Sequence, residues 1–75
     1  MTRQEFVAVL SVLASEAEAS ADHWENATLP RFLEAMAAWA DECQGYYRNA
    51  GANLDPDEPQ WQVFADMLLA AREYE

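Results

Sequence analysis

Residues 29–51 read LPRFLEAMAAWADECQGYYRNAG and carry the strongest helical periodicity of this 75-residue chain. Apolar side chains recur there every three or four positions through about five turns, which is the spacing of one helix face. They are Leu29, Phe32, Leu33, Met36, Ala40, Cys43 and Tyr47. Gly51 is a natural left-handed helix end, and Thr28 or Asn26 is placed to cap the start. The pattern predicts a helix over about residues 29–49.

A second amphipathic helix is predicted at the start of the chain. Thr2 and Glu5 have the spacing of a reciprocal capping box, in which each side chain accepts a hydrogen bond from the other residue's backbone N–H. Apolar residues then recur at helical spacing from Phe6 to Ala17, with polar residues on the opposite side. The expected helix covers about residues 3–19.

A third helix is predicted near the end of the chain, over about residues 58–74. Asp57 and Gln60 repeat the capping-box spacing, and apolar side chains follow from Trp61 to Leu69. The connector before this helix contains prolines and acids, which favour an irregular, solvated segment. Three amphipathic helices of this length bury their apolar faces only against one another. The predicted fold is all-α, a small three-helix bundle in one domain covering residues 1–75.

The charge of the chain narrows the function. There are 14 Asp and Glu residues against four Arg and no Lys, which gives a net charge of −10. Such a surface repels nucleic acid, whose phosphates are neutralised by clustered Lys and Arg. It attracts a basic protein and speeds the encounter with it, or it serves only to keep a small domain soluble. We expect a basic protein partner or self-association, and no direct contact with nucleic acid.

No catalytic, cofactor-binding or metal-binding set of residues is recognisable in the sequence. His23 is the only histidine, and Cys43, the only cysteine, falls on the apolar face of its helix. A lone histidine beside surface acids is weak support for a general base or a zinc ligand. A chain of this size also has few apolar residues to spare for an enclosed substrate pocket. We therefore expect a protein that is not an enzyme and that needs no cofactor or metal.

The sequence also predicts the compartment of the protein. The start of the chain is polar and lacks the basic and apolar regions of a signal peptide. No apolar run approaches the length needed to span a membrane. A single cysteine provides no disulfide framework and suits a reducing environment. We expect a cytoplasmic protein that does not enter membranes.

Two apolar strips lie beside the main helical faces. On the second helix, Phe32, Trp39 and Tyr46 are spaced by seven residues and share one shoulder of the helix. The strip on the third helix consists of Val63, Met67, Ala70 and Tyr74. One bundle core does not easily cover this strip together with the main face of the same helix. An exposed strip would mark an interface anchored by aromatic side chains. Alternatively, each strip packs on the connector that holds Trp24 or on a neighbouring helix.

The candidate partner-binding residues that follow are Phe32, Trp39, Tyr46, Met67 and Tyr74. We also expect Trp24, Tyr47 and Tyr74 to help lock the first connector and the C-terminus to the bundle. Local distortion near Gly45 and Asn49 would aim Arg48 at the first connector, so we expect Arg48 to pair with Glu25 or with Glu75.

A string of aromatic and small residues from Trp24 onward covers about two thirds of the chain. Its elements are Trp24-Glu25-Asn26, Leu29, Phe32-Leu33-Glu34-Ala35, Trp39, Gly45-Tyr46-Tyr47-Arg48-Asn49, Trp61, Phe64-Ala65, Ala70-Ala71 and Tyr74-Glu75. With this string the chain resembles a family of short bacterial proteins of unknown function. The resemblance implies a helical domain and no particular activity. In size and charge the chain is also similar to the inhibitor or immunity proteins found beside bacterial toxins.

The sequence therefore favours a small acidic protein-binding module, of the inhibitor or immunity type, that engages a basic partner. Two alternatives stay open. The chain is a homodimer that buries the strip of Val63, Met67 and Tyr74 against its copy, or it is a nucleic-acid mimic whose carboxylates stand in for phosphates. The sequence names neither the partner, nor the oligomeric state, nor the pathway.

Overall fold

Three α-helices and a short 3₁₀ turn make up the structure, a computed structural model that describes the backbone of residues 1–75 and every side chain except that of Ala21. In chain order they are α1 (Arg3–Ser20), the 3₁₀ turn (Ala21–His23), α2 (Leu29–Ala50) and α3 (Trp61–Ala71). The described residues contain no β-strand. The predicted all-α helical bundle is therefore confirmed.

The start of α1 is held by the capping box that the sequence predicts. The backbone N–H of Thr2 donates to Glu5 Oε1 at 2.8 Å, and the backbone N–H of Glu5 donates to Thr2 Oγ1 at 3.1 Å. The hydrogen bond that the Glu5 carboxyl accepts from the Thr2 backbone N–H is the main cause that lowers the pKa of this carboxyl below its ordinary value. The box satisfies two backbone donors that the first helical turn leaves without partners.

Both ends of α2 also follow local sequence signals. Thr28, not Asn26, is the N-cap, and its hydroxyl accepts from the backbone N–H of Arg31 at 3.4 Å. At the other end Gly51 has a φ of 70°, in the left-handed region where only glycine is unstrained. The next N–H, that of Ala52, donates back to the carbonyl of Tyr47 at 3.1 Å. This pairing belongs to the Schellman motif, which ends a helix sharply.

α3 is shorter at both ends than the predicted segment of residues 58–74. The expected capping box of Asp57 and Gln60 is wrong, because Gln60 is the N-cap without any side-chain hydrogen bond to the helix. The backbone N–H of Asp57 instead donates to Asp55 Oδ1 at 2.9 Å. An aspartate that bonds the backbone two residues on stabilises a turn in competition with the helix.

α1 packs against one side of α3 and runs parallel to it. The ring of Phe6 lies 5.3 Å from the ring of Trp61 and 6.4 Å from that of Phe64, measured between centroids. Toward the other end of both helices, Arg72 Nη1 donates to Glu16 Oε1 at 2.9 Å. The main apolar face of α3 is therefore used by α1.

α2 packs antiparallel on the other side of α3 and forms the core with it. The core cluster consists of Trp39, Cys43, Tyr47 and Val63, with Leu54, Met67, Ala70 and Tyr74 packed against it. The second strip of α3 thus faces α2, and Val63 is fully buried. Val63 is therefore unavailable to a second copy, whereas Met67 and Tyr74 are half-buried and pack against the same cluster. A homodimer through this strip stays a prediction.

The bundle is open along one of its three seams. Within the described residues, α1 and α2 each pack on α3 but not on each other. α1 contributes a single buried residue, Leu13. The accessible surface is 5220 Å², against about 4,700 Å² for an average folded protein of this mass. The radius of gyration is 12.5 Å, against about 11 Å for a typical domain of this length.

Candidate functional site

A groove of about 300 Å³ runs along the open seam between α1 and α2. Its walls are formed by Leu10, Ala14 and Ala17 of α1 and by Leu29 and Phe32 of α2, with Leu68 of α3 between them. The walls therefore come from three different helices, and the lining is almost entirely apolar.

The alternation of large and small side chains explains why the seam stays open. Ala14 and Ala17 face the groove with too little volume to reach across it, whereas Leu10 and Leu29 stand at its rim. Leu29 is 70% exposed and Leu10 is 41% exposed. A single exposed leucine is ordinary, but several around one concave surface are typical of a contact site.

An aromatic pair closes one end of the groove. The rings of Trp24 and Phe32 lie 5.7 Å apart between centroids with an interplanar angle of 32°. Both side chains are half-buried and both line the groove. Trp24 thus joins the first connector to the first turns of α2, and at the same time it offers a large apolar surface to an occupant of the groove.

Asn26 fastens this end of the groove to the end of α3. Its side-chain Nδ2 donates to the carbonyls of Ala71 and Tyr74, each at 2.9 Å. Its backbone N–H donates to the carbonyl of Arg72 at 3.0 Å. The last carbonyls of a helix accept no hydrogen bond from within the helix. Asn26 provides the missing donors at the end of α3. This role was missed from the sequence, because the partners lie 45 and 48 positions away.

Three acids lie close in sequence to residues that line the groove. Glu18, Asp22 and Glu25 come from the last turn of α1, the 3₁₀ turn and the connector beside Trp24, and all three are exposed. The His23 imidazole lies 4.0 Å from Asp22. The nearby Arg72 is already engaged by Glu16. Glu18 adjoins Ala17 and Glu25 adjoins Trp24, so exposed carboxylates flank the apolar lining at these positions.

The five predicted partner-binding residues do not form one surface. Phe32 lies in the groove wall, whereas Trp39 is a buried core residue. Tyr46 is 55% exposed and packs on Trp39 with ring centroids 5.5 Å apart. Met67 and Tyr74 pack against the core cluster. Phe32 and Tyr46 are 14 residues apart, which is about 21 Å along the axis of α2. They therefore belong to different parts of the surface, although they differ by only about 40° around the helix.

A second apolar area lies on the opposite side of α1 and α3 from the groove. It consists of two adjoining clefts that share Leu69, one between α1 and α3 and the other between α2 and α3. Val12 is 56% exposed there. Each cleft by itself provides less apolar surface than the groove, and Asp66 lines the one beside Tyr46.

The groove residues of α1 were not predicted as a site. The sequence does hold a signal for them, since apolar residues occupy more than one stripe of this helix. Val7, Leu10 and Val12 all remain substantially exposed. A helix that is apolar around most of its circumference requires more covering than one neighbour supplies.

The tyrosine hydroxyls beside the core make hydrogen bonds that help to hold the fold. The Tyr47 hydroxyl donates to Asp66 Oδ2 at 2.6 Å, and burial together with this hydrogen bond raises the pKa of Tyr47 above its ordinary value. The Tyr74 hydroxyl donates to Glu42 Oε2 at 2.7 Å, which raises the pKa of Tyr74. Burial likewise raises the pKa of the Cys43 thiol. A thiol held in its protonated form is a poor nucleophile.

Arg48 forms no ion pair among the residues that the structure describes, so its predicted pairing with Glu25 or Glu75 is wrong. In the same part of the chain, no group of three His, Cys, Asp or Glu side chains converges as metal ligands would. None of the described helices combines the length and the apolar character that a membrane span requires.

Comparison with known proteins places the chain in a family. No curated protein and no solved structure matches it significantly. The profile of a family of unknown function, DUF7660, matches residues 2–75. The match includes α1, which lies outside the string of residues that first carried the resemblance. The chain therefore belongs to this family of unknown function.

Proposed function

We propose that this chain is a non-enzymatic protein-binding module whose binding site is the groove between α1 and α2. The observation that carries the proposal is the open seam. Two of the three helix pairs are packed, while the third leaves a continuous apolar surface accessible to solvent. A partner that fills the groove completes the burial that the chain does not achieve alone.

The energetics of burial support a docking role for the groove. Covering one leucine side chain contributes about 1.5–3 kcal/mol, and Leu10 and Leu29 both stand at the rim with much of their surface exposed. Trp24 and Phe32 add aromatic surface of the kind that forms binding hot spots. An interface centred on these side chains has an apolar centre and a polar rim, as specific interfaces do.

Charge indicates the kind of partner. The net charge of −10 produces a negative field around the whole chain, which steers basic proteins toward it. The inhibitor or immunity type of protein is one form of this function, since such a protein covers a basic surface of its target. We place the module in the cytoplasm, because a single cysteine offers no disulfide to an oxidising compartment.

A pair of matched variants tests the proposal. Leu29→Glu puts a charge at the rim of the groove, and Val12→Glu puts the same charge on the opposite apolar area. Both replaced side chains are more than half exposed, so we expect circular dichroism and melting temperature to stay close to those of the parent chain. The variants therefore differ in the surface they alter and not in net charge.

The measurement is quantitative capture of proteins from a lysate of the source cell by the tagged 75-residue chain and its two variants. The expected result is a basic protein that is retained by the parent and by Val12→Glu but lost by Leu29→Glu, and that elutes as the salt concentration rises. Equal capture by all three proteins would contradict the use of the groove.

A further inference from the structure

We propose that the occupant of the groove is a single basic amphipathic α-helix, which closes the bundle as a fourth helix. This inference rests on the proposed function and names the partner of the same site. The helix is expected to place its apolar face against Leu10, Leu29 and Leu68. Its Lys and Arg residues lie at the end where Glu18, Asp22 and Glu25 are exposed.

The geometry of the groove favours a helix over other peptide conformations. Its α1 wall extends from Leu10 to Ala17, about two helical turns or 10 Å. Ala14 and Ala17 let the backbone of an incoming helix approach closely, and the flanking large side chains then fit between its side chains, as ridges fit grooves in packed helices. An apolar groove between helices is the usual receptor for amphipathic helices.

Addition of a strand is disfavoured by the architecture. That mode of recognition uses the free N–H and C=O groups of a sheet edge, and the described residues contain no strand. The backbone groups along the walls are engaged within α1 and α2 themselves. The groove therefore recognises its occupant through apolar side chains and through the charges at its end.

Charge complementarity argues against a second copy of this chain as the occupant. Two copies would each bring a net charge of −10 and would repel one another. A second copy would bring only four arginines and no lysine against its 14 acids. A basic helix, by contrast, gains from these carboxylates within the Debye length of about 10 Å at moderate salt.

The probe for the test is a synthetic peptide of about 16 residues, because shorter peptides form helices poorly in water. Leucines at helical spacing form one face, alanines fill the sides, and lysines are grouped at one end. A scrambled peptide of the same composition and a peptide with a central proline are the controls. Binding to the 75-residue chain is measured by fluorescence anisotropy, and the indole N–H signal of Trp24 is followed by NMR.

The Leu29→Glu variant separates groove binding from mere attraction between opposite charges. It adds a negative charge and would strengthen nonspecific binding of a basic peptide, but it blocks the apolar wall. We expect its affinity for the amphipathic peptide to fall about tenfold or more, as for loss of an interface hot spot. The Val12→Glu variant should bind at least as tightly as the parent chain.

The control peptides, the helicity of the bound peptide and the Trp24 signal provide further tests. The inference expects the scrambled and proline-containing peptides to bind about tenfold more weakly, the bound peptide to gain helicity, and the Trp24 signal to shift. Equal binding of the scrambled peptide, or tighter binding by Leu29→Glu, would overturn the inference that the occupant is an amphipathic helix. If cellular capture still depends on Leu29 in that case, the groove remains the binding site and only the nature of its occupant is wrong.

Discussion

At the scale of single residues, Asn26 ties the connector before α2 to the end of α3. Its side chain donates hydrogen bonds to the carbonyls of Ala71, the last residue of α3, and of Tyr74. Its own backbone N–H donates a third, to the carbonyl of Arg72. The same residue lines the groove. Asn26 therefore holds the connector with Trp24 in place, so the shape of the groove depends on it.

Replacing Asn26 with alanine should lower the free energy of unfolding by about 2 kcal/mol, since each net hydrogen bond contributes about 1 kcal/mol. In a domain of this size the melting temperature should fall by roughly 10 °C. Thermal unfolding followed by circular dichroism measures the change. Asn53→Ala, in the exposed part of the second connector, is the control and should shift it little. An equal effect of both variants would remove the role assigned to Asn26.

Tyr47 makes the stability depend on alkaline pH. Its folded-state pKa is raised above the ordinary value of 10.0 by burial and by Asp66, so the folded chain retains a proton that the unfolded chain loses. The resulting stability is fully present below about pH 10 and decreases as the pH rises above it. We expect urea denaturation at pH 8 and pH 11 to show this loss, and Tyr47→Phe to reduce it. A loss of the same size in Tyr47→Phe would assign the effect to other groups, such as Tyr74.

At the scale of elements, the two glycines at the C-terminal end of α2 have opposite roles. Gly45 lies within the helix, and a Cβ added there would meet no atom within 4 Å. Gly51 also has open space around it, but its φ of 70° strains any residue with a side chain. The first glycine weakens the helix, because its chain entropy is high, and the second ends it.

The two glycines should therefore respond to alanine in opposite directions. Gly45→Ala is expected to raise the free energy of unfolding by about 0.5–1 kcal/mol through helix propensity. Gly51→Ala is expected to lower it by about 1 kcal/mol or more through left-handed strain. Chemical denaturation of both variants gives the values, and each serves as the control for the other. A gain in stability for Gly51→Ala would contradict the helix end described above.

At the scale of the whole molecule, the arrangement of three helices leaves surface uncovered and charge unbalanced. α3 lies between α1 and α2, which do not pack on each other, and the acids outnumber the arginines by 14 to four. Repulsion among like charges destabilises a folded chain, while the same charges attract a basic partner. Stability and partner binding should therefore depend on salt in opposite directions.

Raising the sodium chloride concentration from about 0.01 M to about 0.5 M shortens the Debye length several-fold. We expect the melting temperature of the isolated chain to rise, because repulsion among its carboxylates is screened. The affinity for the basic helical peptide should fall over the same range. Differential scanning calorimetry and fluorescence anisotropy measure the two effects. A melting temperature that falls with salt would show that attractive pairs, such as Glu16 with Arg72, outweigh the repulsion.

Local signals account for the parts of the structure that were predictable from the residues alone. Thr2 and Glu5 form their capping box within one turn, and Gly51 ends α2 through its own backbone conformation. The periodicity of α2 similarly depends on residues a few positions apart. Such interactions are complete within a short segment, so the helical class and the positions of α1 and α2 follow from the order of the residues. The start of α3 did not follow, because Asp55 bonds to the turn before it.

Tertiary packing decided which apolar strip is covered, and with it the location of the site. α3 carries two strips, and only the docking of α1 on one and α2 on the other shows that Val63 and Met67 are in the core. The groove likewise exists because those two helices diverge, and Asn26 has its role because residues 45 and 48 positions away come beside it. These features depend on contacts between distant segments. Helical periodicity records which faces are apolar, but not which neighbour covers each of them.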